Sequence, residues 1–419
     1  MTPQIKQRIE QIRRGEVPDG YKKTKVGIVP NEWKETTVDK CVIEYVEKTT
    51  VENQYPVLTS ARSGLMLQSE YYSNNQVTTN DNIGYNVLPR GYVTYRSRSD
   101  DGKFRFNENQ IIDRGIISYF YPVFSFNSNV SHKFMLCLLN HTIYRQSYSF
   151  VEGTAQQVLS FKKLGSLKYC LPSLAEQEKI AQILSAQDKL IALKEKLIEE
   201  KKRQKKALMQ QLLTGKKRLP GFSGEWKKQK MSDILCERKE ENKDQSLRIC
   251  SVAVNSGVVD QREHLGKSMA ASDTSNYNVV HYGDIVYTKS PTGAFPYGIV
   301  KQSQLTENVA VSPLYGVYEP TSYEIGYLLN EYFMYPNNAN GYLLPIINKG
   351  AKNTINISNA TFISPSLYLP TNFEEIKKLV QIFKVANKEI EILRKDLDQE
   401  KQKKKALMQL LLTGIVRVK

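Results

Sequence analysis

The stretch YRSRSDDGKFRF, residues 95–106, sets four cations, Arg96, Arg98, Lys103 and Arg105, around an Asp-Asp-Gly turn. Tyr95, Phe104 and Phe106 alternate with them, a pattern that predicts a hairpin with a basic rim. Arginine offers a planar fork that can bond bidentately to guanine O6 and N7, and Arg and Lys both neutralise phosphates. A second stretch, TKSPTGAFPYG at 288–298, keeps Lys289 and a turn but little other charge; Thr288, Ser290 and Thr292 offer hydroxyls instead. Gln156 and Gln157 in VEGTAQQ, and Lys352 and Asn353 in NKGAKNTINIS, are further candidates, since Gln and Asn pair bidentately with adenine. The competing reading of each loop is a solvated turn.

Other chemistry leaves little trace. There is no G-x-x-x-x-G-K-[ST] loop, no Asn-Pro-Pro-aromatic tetrapeptide and no C-x-x-C pair, and the four His form no H-x-x-x-H. Cys137 and His141 lie four apart in an apolar, helix-like run; two ligands do not make a zinc site, and a core thiol beside a structural His is the expectation. Pro18-Asp19 with Glu32-Trp33-Lys34 resembles the metal-dependent nuclease pattern PD…ExK. The later Glu225-Trp226-Lys227 has no Asp in register, so packing at a domain entrance is the expected role, with the nuclease kept as an alternative.

Lys and Arg number 59 against 43 Asp and Glu, a formal net charge of +16 that favours a polyanionic partner, nucleic acid before a membrane surface. No apolar run approaches the ~20 residues of a membrane helix. The opening residues lack the apolar core of a signal peptide, and five dispersed Cys suit a reducing cytosol.

These loops belong to a chain that repeats itself. KKALMQQLLTG at 205–215 returns as KKALMQLLLTG at 404–414. Glu32-Trp33-Lys34 returns as Glu225-Trp226-Lys227, Ser63-Gly64 as Ser256-Gly257, and Leu171-Pro172 as Leu369-Pro370. The constant order predicts two copies of one plan: about 150 residues of strand signals, then Leu-Pro, then a long helix stopped by Thr-Gly. The expected divisions are an N-terminal helix and lead-in (1–26), a first globular domain (27–172), a first long helix (173–215), a second domain (216–370) and a second long helix (371–419).

The second long segment carries a heptad seam through Ile376, Leu379, Phe383, Ala386, Ile390, Leu393 and Leu397. The first carries Ile180, Leu184, Ile191, Ile198, Leu208 and Leu212 in equivalent phase, interrupted by Gln187, Lys194 and Lys201. A second row, Ile183, Leu190 and Leu197, is expected to widen that face, and the Lys-rich flank 194–206 is expected to be solvated. Burial of one seam against the other predicts an α+β protein. Two similar globular domains are separated by two long helices packed as an antiparallel coiled coil, with a pseudo-two-fold internal repeat and neighbouring chain ends.

The motifs GYKKTKVGIVPNEWK, GTAQQVLSFKKLGSLKYCLPSLAEQEKIAQIL and the two KKALMQ-x-LLTG ends resemble the specificity subunit of type I restriction-modification enzymes, along essentially the whole chain. The family's Leu-Pro-x-x-x-Glu-Gln-x-x-Ile corresponds here to Leu171, Pro172, Glu176, Gln177 and Ile180. The second copy departs, with Glu375-Ile376 where Glu-Gln is usual, and a weakened partner contact is expected there. The resemblance implies a cytoplasmic, non-catalytic targeting chain whose two target-recognition domains each read half of a split double-stranded DNA site. It also implies that the coiled coil sets the spacer and docks two modification subunits carrying S-adenosylmethionine. Restriction subunits using ATP and Mg join that core, and this chain needs no cofactor or metal of its own. A methylation-only scaffold of the same build, or a membrane-surface protein, are the other readings.

Overall fold

A computed structural model of the chain describes residues 2–71, 82–147, 156–215, 217–266, 270–349 and 355–418. The fold is α+β and forms two compact units, residues 1–194 with 396–419, and residues 195–395. Each long helix, Leu174–Leu212 and Phe373–Leu412, therefore contributes one stretch to each unit.

In the first unit a four-stranded antiparallel sheet runs in the order 106–108, 93–95, 123–126, 42–44. Tyr95, Phe106 and Phe124 form its buried aromatic centre, packed with Phe134 and Leu138 of the helix His132–Ser147. Ile180 and Leu184 of the first long helix, with Leu411 and Leu412 of the second, complete this core. In the second unit the central sheet has the corresponding order 299–302, 285–288, 316–320, 235–237. A further sheet of strands 257–260, 249–253, 309–311 and 278–280 adds one parallel pairing, between 249–253 and 309–311. Ile376, Leu379 and Phe383 belong to this unit's core, as do Met209 and Leu212. The ends of both predicted seams thus serve as domain core.

The repeated short motifs meet in space. Lys34 pairs with Leu171 across two antiparallel strands, and Lys227 pairs with Leu369 in the same way. The Trp before each of these Lys is buried and carries the Gly that ends a long helix. A Cβ on Gly414 would lie 3.0 Å from Trp33, and one on Gly215 would lie 3.5 Å from Trp226. Both Gly sit in the left-handed region, φ 72° and 67°, which halts a helix without the steric penalty a side chain carries there.

Each helix start is clamped to the tail beyond the other helix's end. Arg417 donates from Nε and Nη2 to Glu176 at 2.6 and 2.8 Å, and Arg218 donates likewise to Glu375 at 2.8 and 2.7 Å. Both Glu are buried, and two parallel charge-assisted bonds compensate each carboxylate. The Glu of the second copy is thus retained, and only Gln177 is exchanged, for Ile376. Gln177 is buried; it accepts from the Ser131 N–H at 2.9 Å and donates to the Pro172 carbonyl at 3.0 Å. The exchange therefore falls on a side chain bonded within its own unit. At the N-terminal helix Pro3–Arg13, Arg8 donates to the Ile415 carbonyl at 3.0 Å, and the Tyr21 hydroxyl to that of Gly414 at 2.9 Å. The two ends of the chain therefore meet.

Polar pairs fix the helix register. In the first unit Gln187 donates to Glu400 at 2.6 Å, Lys194 meets Asp396 and Glu400, and Lys404 meets Asp188. In the second, Lys201 meets Glu389 at 2.6 Å, and Lys205 reaches both Asn387 and Glu331. Rising numbers on one helix meet falling numbers on the other, so the helices are antiparallel in each unit. The residues that interrupt the first seam are its cross-helix partners. Along the rest of the seam Ile198, Ile390 and Leu397 are buried, while Ile191, Leu208 and Leu393 are half-buried. The second row corrects the expectation: Ile183 and Leu197 are exposed and Leu190 is half-buried, because a two-helix seam covers only a narrow stripe. Lys205, expected in a solvated flank, is buried.

Candidate nucleic-acid interface

The cations at 96–105 arise from local alternation. Tyr95 pairs with Phe106 where the two strands close, and Tyr95, Phe104 and Phe106 all point into the core. Arg96, Arg98, Lys103 and Arg105 are therefore left exposed. They line a cleft of about 550 Å³ together with Arg62. Arg96 and Arg105 have no hydrogen-bond or ion-pair partner among the described residues. Arg98 lies 4.0 Å from the centroid of the Phe120 ring.

The turn is built by its own acid. Asp101 accepts from the Ser99 hydroxyl at 3.1 Å and the Lys103 N–H at 3.2 Å, and it pairs with Arg62. Partial desolvation raises the Asp101 pKa, but these donors and the Arg62 charge outweigh it and hold the carboxyl below its usual range. Gly102 has φ 71°, and a Cβ there would lie 2.0 Å from Gln157 Oε1. Gln157 is in a short strand pairing with Ser99, and Gln156 donates to Asp100 at 2.9 Å. The two glutamines thus brace the loop from behind. Arg62 was not a sequence candidate. Its signal was the Ser-Gly of the repeat beside it, which forms the tip of a hairpin, 58–61 with 64–67, at the cleft rim.

The corresponding loop of the second unit differs. Thr288 is buried at the end of its strand, and its hydroxyl accepts from the Ser290 N–H at 3.2 Å, which corrects its candidacy as an exposed contact. Lys289 is half-buried; burial lowers its pKa, with the Glu237 charge opposing. Thr292 is exposed and exchanges backbone hydrogen bonds with Phe295 at 3.0 and 2.9 Å. Lys352 and Asn353 lie outside the described residues.

Glu32, the nuclease candidate, is bound by Arg417 at 2.7 Å, and among the described residues no three His, Cys, Asp or Glu gather as a metal site. Burial raises the Cys137 thiol, as suits an inert core thiol. No described helix is long and apolar enough to cross a membrane.

Residues 36–203 match the family model of the type I restriction modification DNA specificity domain. A putative type I restriction enzyme MjaX specificity subunit from Methanocaldococcus jannaschii is 24% identical over 223 residues. That match covers 47% of this chain and 49% of the relative, so the chain spans about half the length of the curated relative it matches. Among solved structures, the S subunit of a type I restriction-modification system from M. genitalium superposes with a TM-score of 0.52 at 14% identity. It covers 90% of this chain and 96% of that one. A chain from a type I R-M system studied for its complex assembly and conformational transition gives a TM-score of 0.53 at 12% identity. It covers 93% of this chain and 99% of that one. At these identities the likeness speaks for the fold, and it extends along both units. The second unit repeats the central sheet order of the unit that carries the matched domain, so the fold likeness holds for both halves of the repeat.

Proposed function

We propose that this chain is the non-catalytic subunit that gives a type I restriction-modification complex its DNA sequence specificity. The observation that carries this reading is the cleft of the first unit, where Arg96, Arg98, Lys103 and Arg105 converge with Arg62 beside a built turn. Exposed Arg side chains, of which Arg96 and Arg105 have no partner among the described residues, suit phosphates and guanine edges. In this reading residues 27–172 and 216–370 each read one half of a bipartite double-stranded site. Gln156, Gln157, Lys289, Thr292, Lys352 and Asn353 are secondary contacts, and Thr288 supports its loop. The helices 173–215 and 371–419 set the spacer.

Two modification subunits dock on the helices. The exposed apolar residues support this: Ile183 and Leu193 in the first unit, and Leu197, Val385 and Ile392 in the second. S-adenosylmethionine, ATP and Mg serve in partner subunits, with restriction subunits joining the modification core in the cytoplasm. The test is a map of methylated bases in DNA from cells expressing this chain with its modification subunit. Two short defined blocks around a fixed gap are expected. A continuous motif would overturn the two-reader assignment.

A further inference from the structure

The second unit holds a cleft of about 610 Å³ that the DNA reading does not use. Its floor includes Lys301, on the strand Ile299–Gln302, which is 3% exposed. The Lys301 side chain has no hydrogen bond or ion pair among the described residues. Among the described residues one buried carboxylate lines the cleft, Glu331; its Oε1 accepts from Asn387 at 2.8 Å, and its Oε2 lies 2.8 Å from Lys205 without a hydrogen bond. At the rim Glu391 is held by Lys388 and Lys395, and Lys202 by Glu199. Lys206 and Arg394 remain on the two helices, exposed and without an ion pair among the described residues. A lysine this buried with no ion pair of its own is costly, and a site of this size suits a small ligand.

The geometry points to a phosphate-binding site in this cleft, in which Lys301, Lys206 and Arg394 hold a phosphate-bearing anion. A multiply charged phosphate offers enough acceptor oxygens and charge to satisfy three separate cations, as one carboxylate does not. Burial lowers the Lys301 pKa to about 8, against the Glu331 charge and with Lys205 adding to the fall. A bound anion reverses that penalty. The site is independent of the DNA reading, and either stands if the other fails.

The test is calorimetric titration of the full chain with inorganic pyrophosphate at constant ionic strength. Saturable one-to-one binding is expected, weakened at least tenfold by Lys301→Met and several-fold by Arg394→Gln. Without ligand, Lys301→Met is expected to raise Tm, because it removes an unpaired buried charge. No saturable binding, or binding unchanged in Lys301→Met, overturns the proposal. If Lys301→Met does not fold, the exposed pair Lys206→Gln and Arg394→Gln decides: loss of binding supports the site and retention overturns it. Repeating the titration with a duplex of unrelated sequence separates the two phosphate sources. Competition, with weaker duplex binding by Lys301→Met, assigns the site to a DNA backbone phosphate; undiminished pyrophosphate binding assigns it to a free phosphate compound.

Discussion

The loop at 96–105 and the loop at 289–297 leave corresponding strands of corresponding sheets, yet they present opposite surfaces. The first displays four exposed cations over buried aromatics; the second buries Thr288, half-buries Lys289 and closes on a Thr292–Phe295 backbone pair. The clamps, Glu176–Arg417 and Glu375–Arg218, by contrast share the same pair of Arg–Glu bonds. Duplication kept what orients the helices and let the loop surfaces diverge. A buried carboxylate tolerates few alternatives, whereas an exposed side chain tolerates many.

The strongest way to break this comparison is at the clamps. Arg218→Ala leaves buried Glu375 with only the Trp226 indole N–H, at 3.3 Å, and is expected to be the most destabilising of these substitutions. Arg417→Ala leaves Glu176 with one comparable donor, the Val418 N–H at 3.4 Å, and is expected to cost about as much. The only two Trp lie beside the two clamps, so urea unfolding followed by fluorescence in Trp33→Phe and Trp226→Phe backgrounds reads each separately. Clearly unequal costs would show that the clamps are not equivalent and that one residual donor outweighs the other.

Glycine substitutions come next. A Cβ at Gly298 would lie 1.9 Å from the Thr288 carbonyl oxygen, whereas at Gly102 it meets the end of the Gln157 side chain. Both positions have positive φ, so both substitutions are strained. Gly298→Ala is expected to cost about 3 kcal/mol and Gly102→Ala about 1 kcal/mol, since only the second neighbour can swing away. Thermal unfolding of the two variants ranks them, and the reverse order would refute the steric account.

Charge removal sharpens the contrast in surface. Arg96→Gln or Arg105→Gln is expected to weaken DNA binding about tenfold and to lower the salt slope by about 1 if the residue meets a phosphate. If it meets a base, recognition is expected to relax at the first half-site alone. Lys289→Met is expected to change the slope little. Fluorescence anisotropy across a salt series reads all three, and an equal loss from Lys289→Met would mean the loops are equivalent after all. Smallest is Lys201→Met, which removes a partly exposed pair with Glu389 and is expected to cost less than about 1 kcal/mol. A loss above 2 kcal/mol in denaturant titration would give that pair a weight its exposure does not suggest.

The repeat was legible because its parts obey local rules. Gly215 and Gly414 halt helices through their own backbone freedom, and the seam from Ile376 to Leu397 follows helical periodicity. Alternation in 95–106 separated buried aromatics from exposed cations before any fold was known. The exposure of Ile183 and Leu197 was not legible, because apolar spacing marks a face but not how much of it a neighbour covers. Nor was the burial of Thr288, since a strand-end hydroxyl reads the same whether it faces solvent or caps a backbone N–H.

Sequence alone determined the duplication, the long helices, the stops that end them and the basic character of the first loop. Each follows from residue type and spacing within a few turns of chain. Tertiary structure alone decided that Glu176 meets Arg417, 241 residues away, that Gln187 and Lys194 find Glu400, and that Lys301 is buried. The reason is physical: backbone propensity acts between neighbours, whereas the partner of a charge depends on which distant surface folding brings within about 3 Å of it.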